Sequence, residues 1–194
     1  MARSKEFNRE SVLDKAMNVF WHRGYEATSI QDLVDNLGIN RQSMYDTFGD
    51  KHTLFLAALK QYEEVKGVEM VETLERPGSG LTAIKQMFAA LVQEVSGDAQ
   101  HRGCFMVNTA IELAPHDSVI AVQVARNVRQ GEDAFYRTLC RAQEQGELRT
   151  QRADLRALAR FLMNAVQGLK VMAKVNPTAT SLQDIVDVTL SVLA

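Results

Sequence analysis

The chain has 194 residues, almost half of them apolar, and a formal net charge of −2. That length suits one large domain or a small domain joined to a larger one, and so balanced a charge excludes binding to nucleic acid through bulk positive charge alone. Three prolines and few runs of β-branched residues point to an all-helical chain, and two cysteines, Cys104 and Cys140, exclude a disulfide framework.

Residues 1–10 read as a polar arm with no signal-peptide character. A first helix starts near Arg9, with Val12, Ala16, Val19 and Phe20 on one face, and Gly24 stops it. Ser29 with Asp32 three places on makes a capping-box start for a second helix, whose inward residues are Ile30, Leu33, Val34 and Leu37. Gly38 breaks it. Asn40 can cap a third helix with Met44 and Phe48 inward; Gly49 ends that helix, and Asp50 caps a fourth carrying Leu54, Phe55, Ala58, Leu59 and Tyr62.

"ERPGSG" at Glu75 to Gly80 is the clearest break. Ser79 can cap a fifth helix that runs to Gly97. "GCFMVNTAIELAP" predicts a short sixth helix closed by Pro115. A seventh spans about Asp117 to Gln145, an eighth about Ala153 to Val175, and a ninth Ser181 to Leu193. None reaches the ~18 uncharged residues of a membrane span. The expected setting is the cytoplasm, with both thiols reduced.

The second and third helices are joined by "LGIN", a tight turn of helix-turn-helix spacing. The third helix buries Met44 and Phe48 and turns Arg41, Gln42, Ser43, Tyr45 and Thr47 the other way. Such a helix fits the major groove of B-DNA. Asn40 and Gln42 can bond adenine edges, and Arg41 guanine or a phosphate. Tyr45, Thr47 and Lys51 at the start of the fourth helix suit phosphates. The charges of residues 1–60 balance, eight against eight, so the positive character would be local: Arg3, Lys5 and Arg9 at the arm, Arg41 and Lys51 at the reading face. Spacing alone leaves open a solvated polar face on a small bundle.

From about Arg9 to Leu59 the chain resembles the DNA-binding domain of TetR-type transcriptional regulators. The resemblance rests on Ala16 and Phe20 with Gly24-Tyr25, Thr28-Ser29-Ile30, Leu37-Gly38-Ile39, Tyr45 with Phe48, and Lys51 with Leu54-Phe55. Many members carry an aromatic residue and then histidine or tyrosine between the last tyrosine and phenylalanine; Asp46 and Thr47 stand there in this chain, which puts the phosphate role of Thr47 in question. The resemblance implies an all-α fold of about nine helices. It sets a helix-turn-helix DNA-binding domain (1–52, with Thr28 and Ser29 among its DNA contacts), a connecting helix (53–77) and an effector-binding and dimerisation domain (78–194). It also implies a repressor, without cofactor, bound to double-stranded operator DNA as a homodimer and released by a small-molecule effector.

The last two helices agree with pairing. The eighth (Leu155, Leu158, Phe161, Leu162, Val166, Leu169, Met172) and the ninth (Leu182, Ile185, Val186, Val188, Val192) are apolar over more than one stripe, as helices buried on two sides are. Phe88, Phe105, Met106, Tyr136 and Phe161 are candidates for an effector pocket, although core packing is the plainer reading of each. Cys104, after Arg102-Gly103 and near His101 at a helix start, is a candidate redox or electrophile sensor, since a helix N-terminus and cations favour thiolate; the alternative is a small buried hydrophobe. Enzymatic motifs are absent: the four histidines lack metal-ligand spacing, Pro115 separates Glu112 from His116, and no phosphate loop or nucleophile elbow occurs. A helical interaction module that does not bind DNA is the remaining rival.

Overall fold

The computed structural model describes residues 7–97, 102–148, 154–175 and 178–193. Among them are ten α-helices and no strand: α1 (Arg9–Arg23), α2 (Ile30–Leu37), α3 (Arg41–Phe48), α4 (Lys51–Tyr62), α5 (Val68–Glu75), α6 (Gly80–Gly97), α7 (Phe105–Glu112), α8 (Ser118–Glu144), α9 (Leu155–Met172) and α10 (Ala179–Ser191). The predicted fourth helix is α4 and α5 together, joined by a π turn at Glu63–Gly67.

The expected caps Ser29, Asn40 and Asp50 each accept backbone N–H groups of the turn they open, Ser29 with Asp32 closes a full capping box, and Asn8 and Asp117 cap α1 and α8 in the same way. Gly38 sits in the left-handed region (φ 70), the conformation the tight turn into α3 requires and a side chain resists. Two boundaries move: the eighth predicted helix begins after Asp154, and the ninth begins at Ala179, capped by Thr178.

The described residues form two hydrophobic cores. One gathers α1 to α4 around Phe20, Leu33, Met44, Leu54 and Phe55, and takes in Cys104, Phe105, Met106 and Leu113 from the α7 region with Ile120 of α8. The other gathers α5, α6, most of α8, α9 and α10 around Leu74, Ile84, Phe88, Phe135, Leu139 and Leu162. The helix formed by α4, the π turn and α5 runs from one core into the other.

The π turn has a cause in the sequence. Tyr62 faces the first core and Leu74 the second, and both are buried. Twelve residues of ideal α-helix would leave them about 120° apart. One extra residue taken up in a π turn cuts that to roughly 20° and keeps both inward. Val65 and Val68 are turned to the outside as a result.

Candidate DNA interface and effector cavity

Helix α3 seats Met44 and Phe48 in the first core and leaves Asn40, Arg41, Gln42 and Tyr45 exposed, with Ser43 and Thr47 half-buried. Asn40 Oδ1 accepts from Ser43 N at 2.8 Å, so only its amide group is left to reach outward. Gln42 Nε2 donates to Asp46 Oδ1 at 2.7 Å. This explains Asp46: it holds Gln42 along the helix rather than facing a phosphate. Lys51 lies with Nζ 4.2 Å from the centroid of the Tyr25 ring, and Arg9 stacks over Phe48.

Two expected contacts differ. Thr28 is fully buried, and its hydroxyl donates to Gly24 O at 2.6 Å, so it shapes the turn between α1 and α2 instead of meeting DNA. Ser29 is exposed but its hydroxyl is spent on the capping box, donating to Asp32 Oδ2 at 2.5 Å. Those bonds, with Arg23 beside them, hold the Asp32 carboxyl down to about 2. Arg3 and Lys5 lie outside the described residues.

Three contacts tie this head to α7 and α8. Glu112, the last residue of α7, accepts from Tyr25 N at 3.1 Å and Glu26 N at 2.9 Å. His52, on the first turn of α4, donates from Nε2 to Asp117 Oδ2 at 2.7 Å, while Asp117 Oδ1 caps α8. Capping and His52 together lower the Asp117 carboxyl. Trp21 Nε1 donates to Gly103 O at 3.1 Å just ahead of α7. No periodicity signals any of these, because each joins residues more than sixty positions apart.

A cavity of about 840 Å³ lies at the seam between the two cores. Its walls come from both: Tyr62, Cys104, Met106 and Val124 on one side, Met70, Val128, Met163 and Val166 on the other, with the π turn between. Gly131 lets this wall close up, since a Cβ there would lie 2.7 Å from Met163 Sδ.

Of the five expected pocket residues, Met106 lines this cavity. Phe88 and Phe105 do not: Phe88 packs on Phe135 in the second core, and Phe105 sits edge-on to Phe55 and Tyr62 in the first. Tyr136 lies under Arg156, and Phe161 is exposed on α9. Aromatic size selected core and surface positions, whereas flexible methionines and polar groups make the wall. The residues missed include Glu63, Arg126 and Asn127. Glu63 is legible in hindsight as a charged residue where the buried stripe of α4 should continue.

Cys104 is the N-cap residue of α7 and lines the cavity, but its surroundings differ from those expected. It is buried (6 % exposed), and its Sγ accepts from the Tyr62 hydroxyl at 3.4 Å. Burial, and then the neighbouring Cys104, push Tyr62 well above its usual range. Arg102 stacks on Trp21 at 4.2 Å, and His101 lies outside the described residues.

A helix-turn-helix that presents a polar second helix, tied to a helical body, defines a DNA-binding transcriptional regulator. Residues 12–58 match the family model "Bacterial regulatory proteins, tetR family", and residues 80–188 match "Tetracyclin repressor-like, C-terminal domain". The chain is 47% identical over 193 residues to the HTH-type transcriptional regulator YezE of Bacillus subtilis (strain 168), covering 100% of both. It is 32% identical to the HTH-type transcriptional repressor ComR of Escherichia coli (strain K12), over 97% of this chain and 90% of that one. Among solved structures it is similar to a cysteine mutant of the TetR family regulator CifR, complexed with 26 bp double-strand operator DNA. The TM-score is 0.88 at 27% identity, covering 100% of both chains. The chain belongs to the tetR family, whose members are transcriptional regulators and not enzymes. Among the described residues no helix is long and apolar enough to cross a membrane.

Proposed function

We propose that the chain is a cytoplasmic repressor that binds a palindromic operator as a homodimer and leaves it when a small molecule fills the cavity at the seam. We read 1–52 as the DNA-binding head, 53–77 as the connector and 78–194 as the effector and dimerisation domain. One observation carries the reading: the cavity wall contains the π turn of the same helix whose α4 segment belongs to the core of the head. A ligand that binds one arrangement of that wall better than another biases how the head is held.

The homodimer is supported by α9 and α10. Phe161, Met172, Val175, Ile185, Val188 and Val192 are large apolar residues left exposed, Val188 by 71 %. Large apolar side chains left in water in this number are costly and fit burial against the chain's own twin. Two copies would then present two α3 helices to grooves about 34–36 Å apart on one face of a duplex. In this reading Arg41 and Gln42, with Asn40, face base edges, and Ser43, Tyr45, Thr47 and Lys51 face the backbone.

The test is a mobility-shift titration of the full chain against DNA upstream of its own gene, with light scattering on the same sample. A salt-sensitive, sequence-specific complex of two chains per site is expected. A monomer, or a complex indifferent to sequence, refutes the reading.

A second reading makes Cys104 a sensor of oxidants or electrophiles. It is favoured by the place of Cys104 in the cavity wall, where a reagent that enters would meet Sγ and displace the Tyr62 hydroxyl. Titration of the native chain with a thiol reagent, beside Cys104→Ser, decides it; an inert Cys104 ends the idea.

A further inference from the structure

We propose that the seam cavity selects a largely apolar amine, and that the Glu63 carboxylate is the group that receives its ammonium. This rests on the reading of the cavity as the effector site. Glu63 opens the π turn and is 9 % exposed. Its Oε2 accepts from Arg126 Nη2 at 2.9 Å, while Oε1 is enclosed and accepts from none of the described residues.

A carboxylate offers about four acceptor positions, so much of the capacity of Glu63 is unspent. Unspent acceptors on a buried charge are costly, and a ligand donor would offset that cost. The last torsion of glutamate is broad, so a small turn presents Oε1 to the cavity. Arg126 is more than half exposed and can give way into water.

The remaining charges argue against an anionic ligand. Lys60 pairs with Glu64 at 3.5 Å, and Lys66 with both Glu69 and Glu94 at 3.1 Å. Arg137 is held by Glu75. Lys170, half-exposed, has no carboxylate partner among the described residues, but water can solvate it there. An anion would meet Glu63 as a like charge. The thioethers of Met70, Met106 and Met163 give the rest of the ligand an apolar, adaptable surface. The volume lies inside the 300–1,000 Å³ range of small-molecule sites.

Calorimetric titration of the full chain with hexylammonium, hexan-1-ol and hexanoate tests this. Hexylammonium is expected to bind at least about tenfold tighter than hexanoate. Glu63→Gln is expected to weaken hexylammonium about tenfold and leave hexan-1-ol within about threefold, and Arg126→Ala to tighten hexylammonium. These fold-changes are those of a charge-assisted bond. Equal or tighter binding of hexanoate overturns the proposal, as does an unchanged hexylammonium affinity in Glu63→Gln. If Glu63→Gln does not fold, the ranking of the three probes on the unmodified chain decides alone. Hexan-1-ol that binds, and is lost in Ala110→Phe, with no preference for the amine, leaves the cavity reading standing and removes the amine. No binding by any probe removes both.

Discussion

Replacing Glu112 by alanine tests how α7 holds the head. Its two carboxylate oxygens accept from Tyr25 N at 3.1 Å and Glu26 N at 2.9 Å, so the change deletes both bonds at once. A hydrogen bond to a charged acceptor contributes about 1.5–3 kcal/mol. Glu26 is exposed, and water takes over much of its bond, so the combined loss is set at about 2 kcal/mol rather than the full sum. For a chain of this length each kcal/mol moves Tm by roughly 2–4 °C, and a drop of about 4–8 °C is expected. Glu112→Gln keeps one acceptor without the charge and should lose about half as much. Gly24→Ala supplies the cross-check. Its new Cβ would lie 2.9 Å from Glu112 Oε2, at a residue with φ of +80. With Glu112 intact the substitution strains the backbone and displaces the carboxylate; with Glu112→Ala only the strain remains. The double variant should therefore lose less than the sum of the singles, by about 1 kcal/mol. Thermal melts by circular dichroism at one protein concentration measure all four species. Strict additivity, or a Glu112→Ala chain melting within about 1 °C of the parent, would show that the contact holds nothing.

Lys51→Ala or Tyr45→Ala is expected to weaken binding to all DNA sequences alike, with Lys51→Ala lowering the salt slope by about 1, whereas Arg41→Ala and Gln42→Ala should alter sequence preference, read by competition anisotropy. The Asp32 carboxyl, held at about 2 by Ser29 and Arg23 against an ordinary 3.8, contributes stability that is present above pH ~4 and lost as the pH falls through about 2. Melts between pH 5 and 2 should steepen less in Asp32→Asn, and identical profiles would count against the capping box. Val188→Asp changes a residue the single chain leaves in water, so it should retain its helical spectrum yet run as a monomer in light scattering; an unaltered dimer would move the interface elsewhere. Phe55→Ala should cost about 3–5 kcal/mol in denaturant unfolding, because Phe55 is fully buried against Phe20, Tyr25 and Phe105.

Local chemistry was the legible part of this chain. Caps at Ser29, Asn40 and Asp50 and the stops at Gly24, Gly38 and Gly49 act within four residues, and a sequence displays them directly. The polar face of α3 was legible for the same reason, since Met44 and Phe48 leave only one side for Arg41, Gln42 and Tyr45. The cavity was not. Its wall is assembled from α4, α5, α7, α8 and α9, and what selects a residue for it is incomplete packing, which no periodicity reports. Large aromatics fill space well, so Phe88 and Phe105 went to the cores, and the cavity fell to methionines, glycines and amides. Thr28 misleads for a related reason: a hydroxyl at a helix start reads as a contact group, yet this one is buried and bonded to Gly24 O.

The two cores explain why the π turn matters to the regulator. The buried side chains of α4 are committed to the first core and Leu74 of α5 to the second, so the helix cannot rotate as one body without unseating one of them. The π turn is where that constraint is relaxed, because its one extra residue offsets the phase of α5 against α4 by about 100° from that of an unbroken helix. The cavity at the seam has this turn on one side and α7 and α8 on the other. The head is bound to α7 by Glu112 and to α8 by the His52–Asp117 pair, so any rotation of α4 against those helices must stretch one of the two links. Taking the head from about 99:1 in favour of one position to 1:99 requires roughly 5.5 kcal/mol of differential binding. The Glu112 link, at about 2 kcal/mol, supplies part of that difference on one side of the equilibrium. On the proposed reading, a ligand that favours the other position must supply more than that link contributes.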